Sequence, residues 1–145
     1  MKEGGALPVP PEYQRATDEF YQFLTDARDA AGLTTTNQAY TMVQGVLQVF
    51  RRRLEVGEAI RFLSILPVGL RALFVADWDI HEPKLPFEDP ALMTKEIHLL
   101  RPLHNFAPET AIHDVAIALR RNVDVDALEG VLVTFPPGAT QFWQT

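Results

Sequence analysis

The sequence predicts an all-α protein, a duplicated helical bundle in which two halves of about four helices each are related by a rough two-fold. Apolar residues recur at three- and four-residue spacing along almost the whole chain, the period of one buried helix face. Prolines and glycines stand where helices begin and end. The chain also matches itself at an offset of 69 residues. No convincing strand pair is found. Val131 to Phe135 is short and β-branched, but its helical neighbour pattern outweighs that.

Met1 to Pro10 carry Gly4, Gly5, Pro8 and Pro10 with little periodicity and read as a mobile arm. From Pro11 to Thr145 the chain reads as one helical domain of two repeats, at about 11–78 and 89–145. Tyr13, Ala16, Phe20, Phe23, Leu24, Ala27 and Ala31 mark one face of a first helix that Pro11 opens and Gly32 closes. Thr34 or Thr35 caps a second, whose stripe runs from Ala39 through Val46 and Phe50 to Leu54. Arg51, Arg52 and Arg53 sit at its end, where positive charge opposes the helix dipole. After the joint Glu55-Val56, a third helix spans Gly57 to Leu66, and Pro67 opens a fourth that ends near Trp78. Asp79 to Asp89, with Pro83 and Pro86, reads as a linker. Asp89-Pro90 is a cap followed by a first-turn proline, and Pro102 stops that helix. Pro108 opens the next, with Ile112, Val115, Ala116 and Leu119 inward. Asp124 caps a helix bearing Leu128, Val131, Leu132 and Phe135, and a last short helix carries Phe142 and Trp143.

The repeat is ungapped. Met42 to Phe74 lies on Ala111 to Trp143, with seven identities in 33 pairs. Unrelated sequences would give about two. The shared order is helix, double Arg, joint, helix, Pro-x-Gly, short helix. Each unit has one amphipathic face, and the other unit is its natural partner.

Composition excludes several classes of function. Among 145 residues, 47% are hydrophobic and 22% charged, ordinary values for a soluble protein. Cysteine is absent, so thiol nucleophiles and thiolate metal sites are ruled out. The net charge of −6 argues against a nucleic-acid grip. No apolar run approaches the roughly 18 residues of a membrane span. Without an apolar signal segment at the start, the expected location is the cytoplasm.

The elements Glu19-Phe20, Arg52-Arg53-Leu54, Val56-Gly57-Glu58-Ala59 and Leu66-Pro67-x-x-Leu70-Arg71-x-Leu73-Phe74, with Trp78 four residues on, resemble a bacterial family known as domain of unknown function 2267. The likeness covers roughly Thr17 to Trp143. It implies a small, all-helical, duplicated protein and no particular reaction. The family's joint usually reads Thr or Ser, Pro, Gly, Glu; here Glu55 and Val56 take the first two places, so the hydroxyl cap is lost while Glu58 remains. In the second copy Val125-Asp126 replaces Pro-Gly, and the Leu-Pro-x-x-Leu-Arg block becomes Phe135-Pro136-x-x-Ala139-Thr140.

No catalytic constellation stands out. His81, His98, His104 and His113 have no metal-ligand spacing, and no metal or other cofactor is expected. Ser64, the single serine, lacks a nucleophile elbow and reads as a helical residue bonded back to its own backbone. The Arg clusters read first as dipole compensation, paired with Glu55 and Glu58 in one half and Asp124 and Asp126 in the other. The competing reading is an anion cradle, with Arg52 and Arg121 flanking one ligand between the halves. Arg71 reads as a stem covering the core, or as a recognition group with Trp78 and His81 at a groove mouth. Phe142 and Trp143 either fill the core as counterparts of Leu73 and Phe74, or dock a partner or second copy.

Two functions follow. The first is a non-enzymatic interaction module that binds a protein partner or itself as a homo-oligomer, with Phe142 and Trp143 as interface anchors. The second is a small-anion or metabolite binder, conceivably an enzyme, with Arg52, Arg71, Arg121 and Trp78 as ligand-binding residues.

Overall fold

The computed structural model describes residues 9–100 and 106–145. Among them every regular element is a helix. They are α1 (Pro11–Gln14), α2 (Ala16–Ala31), α3 (Thr36–Arg51), α4 (Val56–Ser64), α5 (Val68–Val75), α6 (Pro90–Leu100), α7 (Ala111–Asn122), α8 (Val125–Leu132) and α9 (Ala139–Phe142). Most of the expected arm, Pro102 as a helix stop, and His104 lie outside the described residues.

Local signals set most boundaries. Gly32, at φ 70°, ends α2, and the Leu33 amide donates back to the Arg28 carbonyl at 2.9 Å. Of the two candidate threonines, Thr35 caps α3. Its hydroxyl accepts from the Gln38 amide at 3.1 Å, while the Gln38 side chain accepts from the Thr35 amide at 3.3 Å. Glu58 closes its half of the box on the Glu55 amide at 2.8 Å, despite the lost hydroxyl. Asp89 accepts from the Ala91 amide at 2.8 Å, and Asp124 from the Ala127 amide at 3.2 Å.

Three expectations need correction. The helix opened by Pro11 is interrupted at Arg15 (ψ −1°), and α1 buries none of its residues. Tyr13 is exposed, and no described element covers that first turn. Pro108 does not start α7; it supplies the carbonyl that the Ala111 amide meets at 3.0 Å, and the helix begins at Ala111. Phe135 lies beyond α8, in a turn closed by its amide on the Leu132 carbonyl, and is still buried.

Helix α2 lies against α7, α3 and α5, and α3 packs against α5, α6 and α7. Helix α4 meets α5 and α8, and α9 rests on α7 and α8. The centre of the core is aromatic. Phe50 of α3 stands 4.8 Å from Phe62 of α4, 5.0 Å from Phe142 and 5.2 Å from Trp143, measured between ring centroids. Phe62 in turn stacks on Trp143 at 5.8 Å and tilts against Phe74 at 5.2 Å. Such pairs add roughly 0.5–1.5 kcal/mol each beyond the area they bury.

Local contacts recur 69 positions apart. Amide-to-carbonyl bonds join Ile65 to Phe62, Leu66 to Leu63 and Leu70 to Pro67, and likewise Thr134 to Val131, Phe135 to Leu132 and Ala139 to Pro136. Leu70 and Ala139 are buried at matching places, as are Leu73 and Phe142, and Phe74 and Trp143.

Two glycines allow close approach. A Cβ on Gly69 would lie 2.9 Å from the Phe20 ring, and one on Gly138 would lie 2.5 Å from the Phe87 Cβ. Gly138 also has φ +101°, a conformation that L side chains rarely adopt. Gly138→Ala is therefore expected to lower unfolding free energy by about 1–3 kcal/mol. Gly130→Ala, in open space within α8, is expected to raise it by about 0.4–1 kcal/mol. Urea titration of both variants checks the opposite signs.

Candidate binding site

The triple arginine at the end of α3 serves two places: Arg51 the end of α5, and Arg52 and Arg53 a shared Glu96. Arg51 is buried and donates through Nη1 to the carbonyls of Phe74 (2.9 Å) and Ala76 (3.1 Å), closing the C-terminus of α5. Its guanidinium lies over the Trp78 ring at 5.3 Å. Burial pushes the Arg51 pKa below the usual guanidinium range; Glu82 and Asp77 oppose this, while the adjacent Arg52 adds to it. The group stays protonated at neutral pH, as arginines in proteins do. Arg120 repeats this bond one unit later, donating through Nε to the Trp143 carbonyl at 2.8 Å.

Arg53 has no exposed side-chain surface. It donates to Glu96 at 2.8 and 3.2 Å, to Glu88 at 3.3 Å, and to the carbonyls of Val49 (2.7 Å) and Pro86 (3.1 Å). Arg52 reaches the same Glu96 at 2.9 Å and Glu82 at 3.9 Å. The expected partners Glu55 and Glu58 are not used. The acids come instead from α6 and the 79–89 segment, which the Leu85 amide also ties to the Arg52 carbonyl at 3.0 Å. The presumed linker is thus fastened to the end of α3. In the second half the partners again differ from expectation: Arg120 pairs with Glu129 at 2.6 Å, and Arg121 approaches Asp26 at 3.8 Å.

The sequence-derived ligand residues do not converge. Arg52 and Trp78 border one small groove beside Glu82 and Lys84. Arg71 borders another, with Arg15 and Asn122, and spends its donors on the carbonyls of Leu66 (2.7 Å) and Ser64 (3.5 Å). Arg121 is largely exposed at the end of α7. His81 is exposed and lines neither groove, and Arg71 and Trp78 border different ones, so the expected trio at one groove mouth does not form. Ser64 donates to the Ile60 carbonyl at 3.0 Å, as a helical serine does. Phe142 and Trp143, offered as interface anchors, are 4% and 0% exposed; the aromatic centre claims both rings.

A further concavity lies elsewhere. A cleft of about 580 Å³ opens between α6, α7 and α9, with the end of the 79–89 segment along one side. Phe87, Pro90, Met93, Ile112, Pro137 and Phe142 give it an apolar floor. Thr94, Thr110, His113, Gln141 and Gln144 offer polar groups, and Glu88 and Glu109 stand at its edge. Thr110 donates to buried Asp114 at 2.7 Å, which fixes the α7 entrance. His98 holds the Ala107 carbonyl at 2.7 Å on the neighbouring face of α6. Volume and lining match those of small-molecule and side-chain pockets in general. Reading the sequence missed this site. One signal was present: shifting α2 by 69 places it on residues 85–100, where Pro86 and Pro90 forbid its first turns.

Among the described residues no group of three or more His, Asp or Glu could hold a metal ion. No helix among them is long and apolar enough to cross a membrane. The model of a family described as uncharacterized conserved proteins, DUF2267, matches residues 20–142. The chain belongs to the DUF2267 family. No curated protein matches it. The DUF2267 match spans α2 through α9, and so contains both the Arg53 cluster and the cleft lining up to Phe142.

Removing Arg53 leaves Glu96 partly buried without its main cation. Arg53→Ala is expected to cost about 3–5 kcal/mol, against at most about 1 kcal/mol for the partly exposed Arg52→Ala. Equilibrium urea unfolding of the two variants measures the difference.

Proposed function

We propose that this protein is a non-enzymatic binding module built from two helical repeats, α2–α5 and α6–α9, that bury their apolar faces against each other about an approximate two-fold. The binding seat is the cleft between α6, α7 and α9. The observation that carries the reading is the cleft itself, an apolar hollow of about 580 Å³ rimmed by a few hydrogen-bonding side chains.

The pattern of helix contacts supports the two-repeat reading. Exchanging the repeats turns the α2–α7 contact into α6–α3, and both pairs pack. It turns α2–α3 into α6–α7, α3–α5 into α7–α9, and α4–α5 into α8–α9, and all six pack. The pairs α3–α7 and α4–α8 exchange into themselves, as helices beside a two-fold axis do. The arginine bonds to the Phe74 and Trp143 carbonyls exchange in the same way.

A reading as an arginine-based anion binder finds less support. Arg52 and Arg71 bond within the chain and border different grooves, and Arg121 is largely exposed. Self-association through the tail rings is likewise disfavoured by their burial.

The neutral probe N-phenyl-1-naphthylamine tests the cleft. Its fluorescence is expected to rise and shift to the blue on binding. At about 100 times its Kd it is expected to stabilise the fold by about 2.7 kcal/mol. Gln141→Trp, an exposed rim position, fills the cleft and is expected to abolish both effects while leaving the fold intact. No fluorescence change in the unaltered protein, or an equal change in Gln141→Trp, refutes the site.

A further inference from the structure

We propose that the natural occupant of the cleft is a short amphipathic helix of a partner protein, carrying a large apolar side chain for the cleft floor and Lys or Arg residues beside it. This rests on the cleft being a binding seat and on the two-repeat reading above.

The first repeat supplies the shape. There α2 runs along α5, and Phe20, in its second turn, lies against Gly69 closely enough to exclude a Cβ. In the second repeat the matching glycine, Gly138, is covered by Phe87, which precedes α6 rather than belonging to it. The cause is covalent and electrostatic. Helix α6 has 11 residues where α2 has 16, because Pro90, at its first position, cannot follow further helical turns. Buried Arg53 then fixes that stretch by holding the Pro86 carbonyl and the Glu88 carboxylate. The volume that a helical turn fills in the first repeat is left open in the second, bounded by α6, α7 and α9. A turn or two of foreign helix restores the packing that the first repeat makes internally.

Charge selects among helices. The acidic side chains lining the cleft are Glu88, which pairs with buried Arg53, and Glu109. Glu88 keeps 40% of its side chain exposed at the rim, and Glu109 keeps 85%. No Lys or Arg lines the cleft among the described residues. A second copy of this chain, at a net charge of −6, is a poor match for such an edge. A basic flank is a good one.

The test uses two synthetic helices of about 15 residues, long enough to sample helix in water. Both carry one Phe and a Leu stripe; one has Lys on its polar face and the other Glu. Titration calorimetry at moderate salt is expected to show one site for the Lys peptide and about tenfold or more weaker binding for the Glu peptide. Gln141→Trp is expected to abolish Lys-peptide binding, and Glu109→Lys, at an exposed rim position, to weaken it about threefold or more. Equal affinity for the two peptides, or Lys-peptide binding that survives Gln141→Trp, overturns the proposal. If N-phenyl-1-naphthylamine binds and neither peptide does, the cleft is a small-molecule seat: the helix occupant is wrong and the binding-module reading survives. If neither probe nor peptide binds, both fall.

Discussion

Phe50 sits at the aromatic centre of the core, and the rest of the fold is arranged to keep it dry. Its ring touches side chains from α4, from the segment before α6 and from the last turns of the chain. Neither α3–α5 nor α7–α9 could cover that surface alone, since each presents a single apolar face. Trp143 shows how demanding this centre is. It is wholly buried, and its indole N–H has no hydrogen-bond partner among the described residues. An unpaired buried donor costs roughly 1–3 kcal/mol, and the ring contacts with Phe50, Phe62 and Phe142 offset it.

A core assembled from short helices leaves many helix ends inside or beside it, and each end carries carbonyls without intrahelical partners. The arginines answer that problem more than they answer any ligand. Arg51 closes α5, Arg71 closes α4, Arg120 closes the end of the chain, and Arg53 stitches the 79–89 segment and α6 to α3. This explains why basic residues that look like a cradle in one dimension scatter in three. A guanidinium offers five donors in a plane, so one side chain can satisfy a carboxylate and two carbonyls at once, as Arg53 does.

The helices were legible because their period and punctuation are local properties. Thr35, Gly32, Asp89 and Asp124 act within one turn of themselves, and the structure places helix boundaries beside each of them. The site was not legible, because it is made by what a helix lacks. Nothing within the stretch 85–89 announces a cleft; only the comparison with α2 shows that turns are missing there. Arg53 was hidden for a related reason. In the run Arg51-Arg52-Arg53 all three residues look alike, and burial of the third depends on Glu88 and Glu96, which are distant in sequence. Tyr13 failed in the opposite sense: its spacing fits a helix face, but no described element covers α1 at that point.

On the two-repeat reading, the halves have divided their labour. The first keeps the Leu-Arg of its Pro-x-x-Leu-Arg block, so Arg71 can seal α4 and Leu70 can fill the space beneath α5. In the second, Ala139 and Thr140 stand at those positions, and α9 is only four residues long. The carbonyl end of α8 is served by a weaker device: the Thr134 hydroxyl donates to the Val131 carbonyl and accepts from Arg61, across from α4. Ala139 and Thr140, with the shorter final helix, leave less side chain beside the cleft at those two positions. A stable protein can carry such an unfilled hollow when the remaining core compensates for the packing it forgoes. Here the rings around Phe50, drawn from both parts of the chain, supply that compensation.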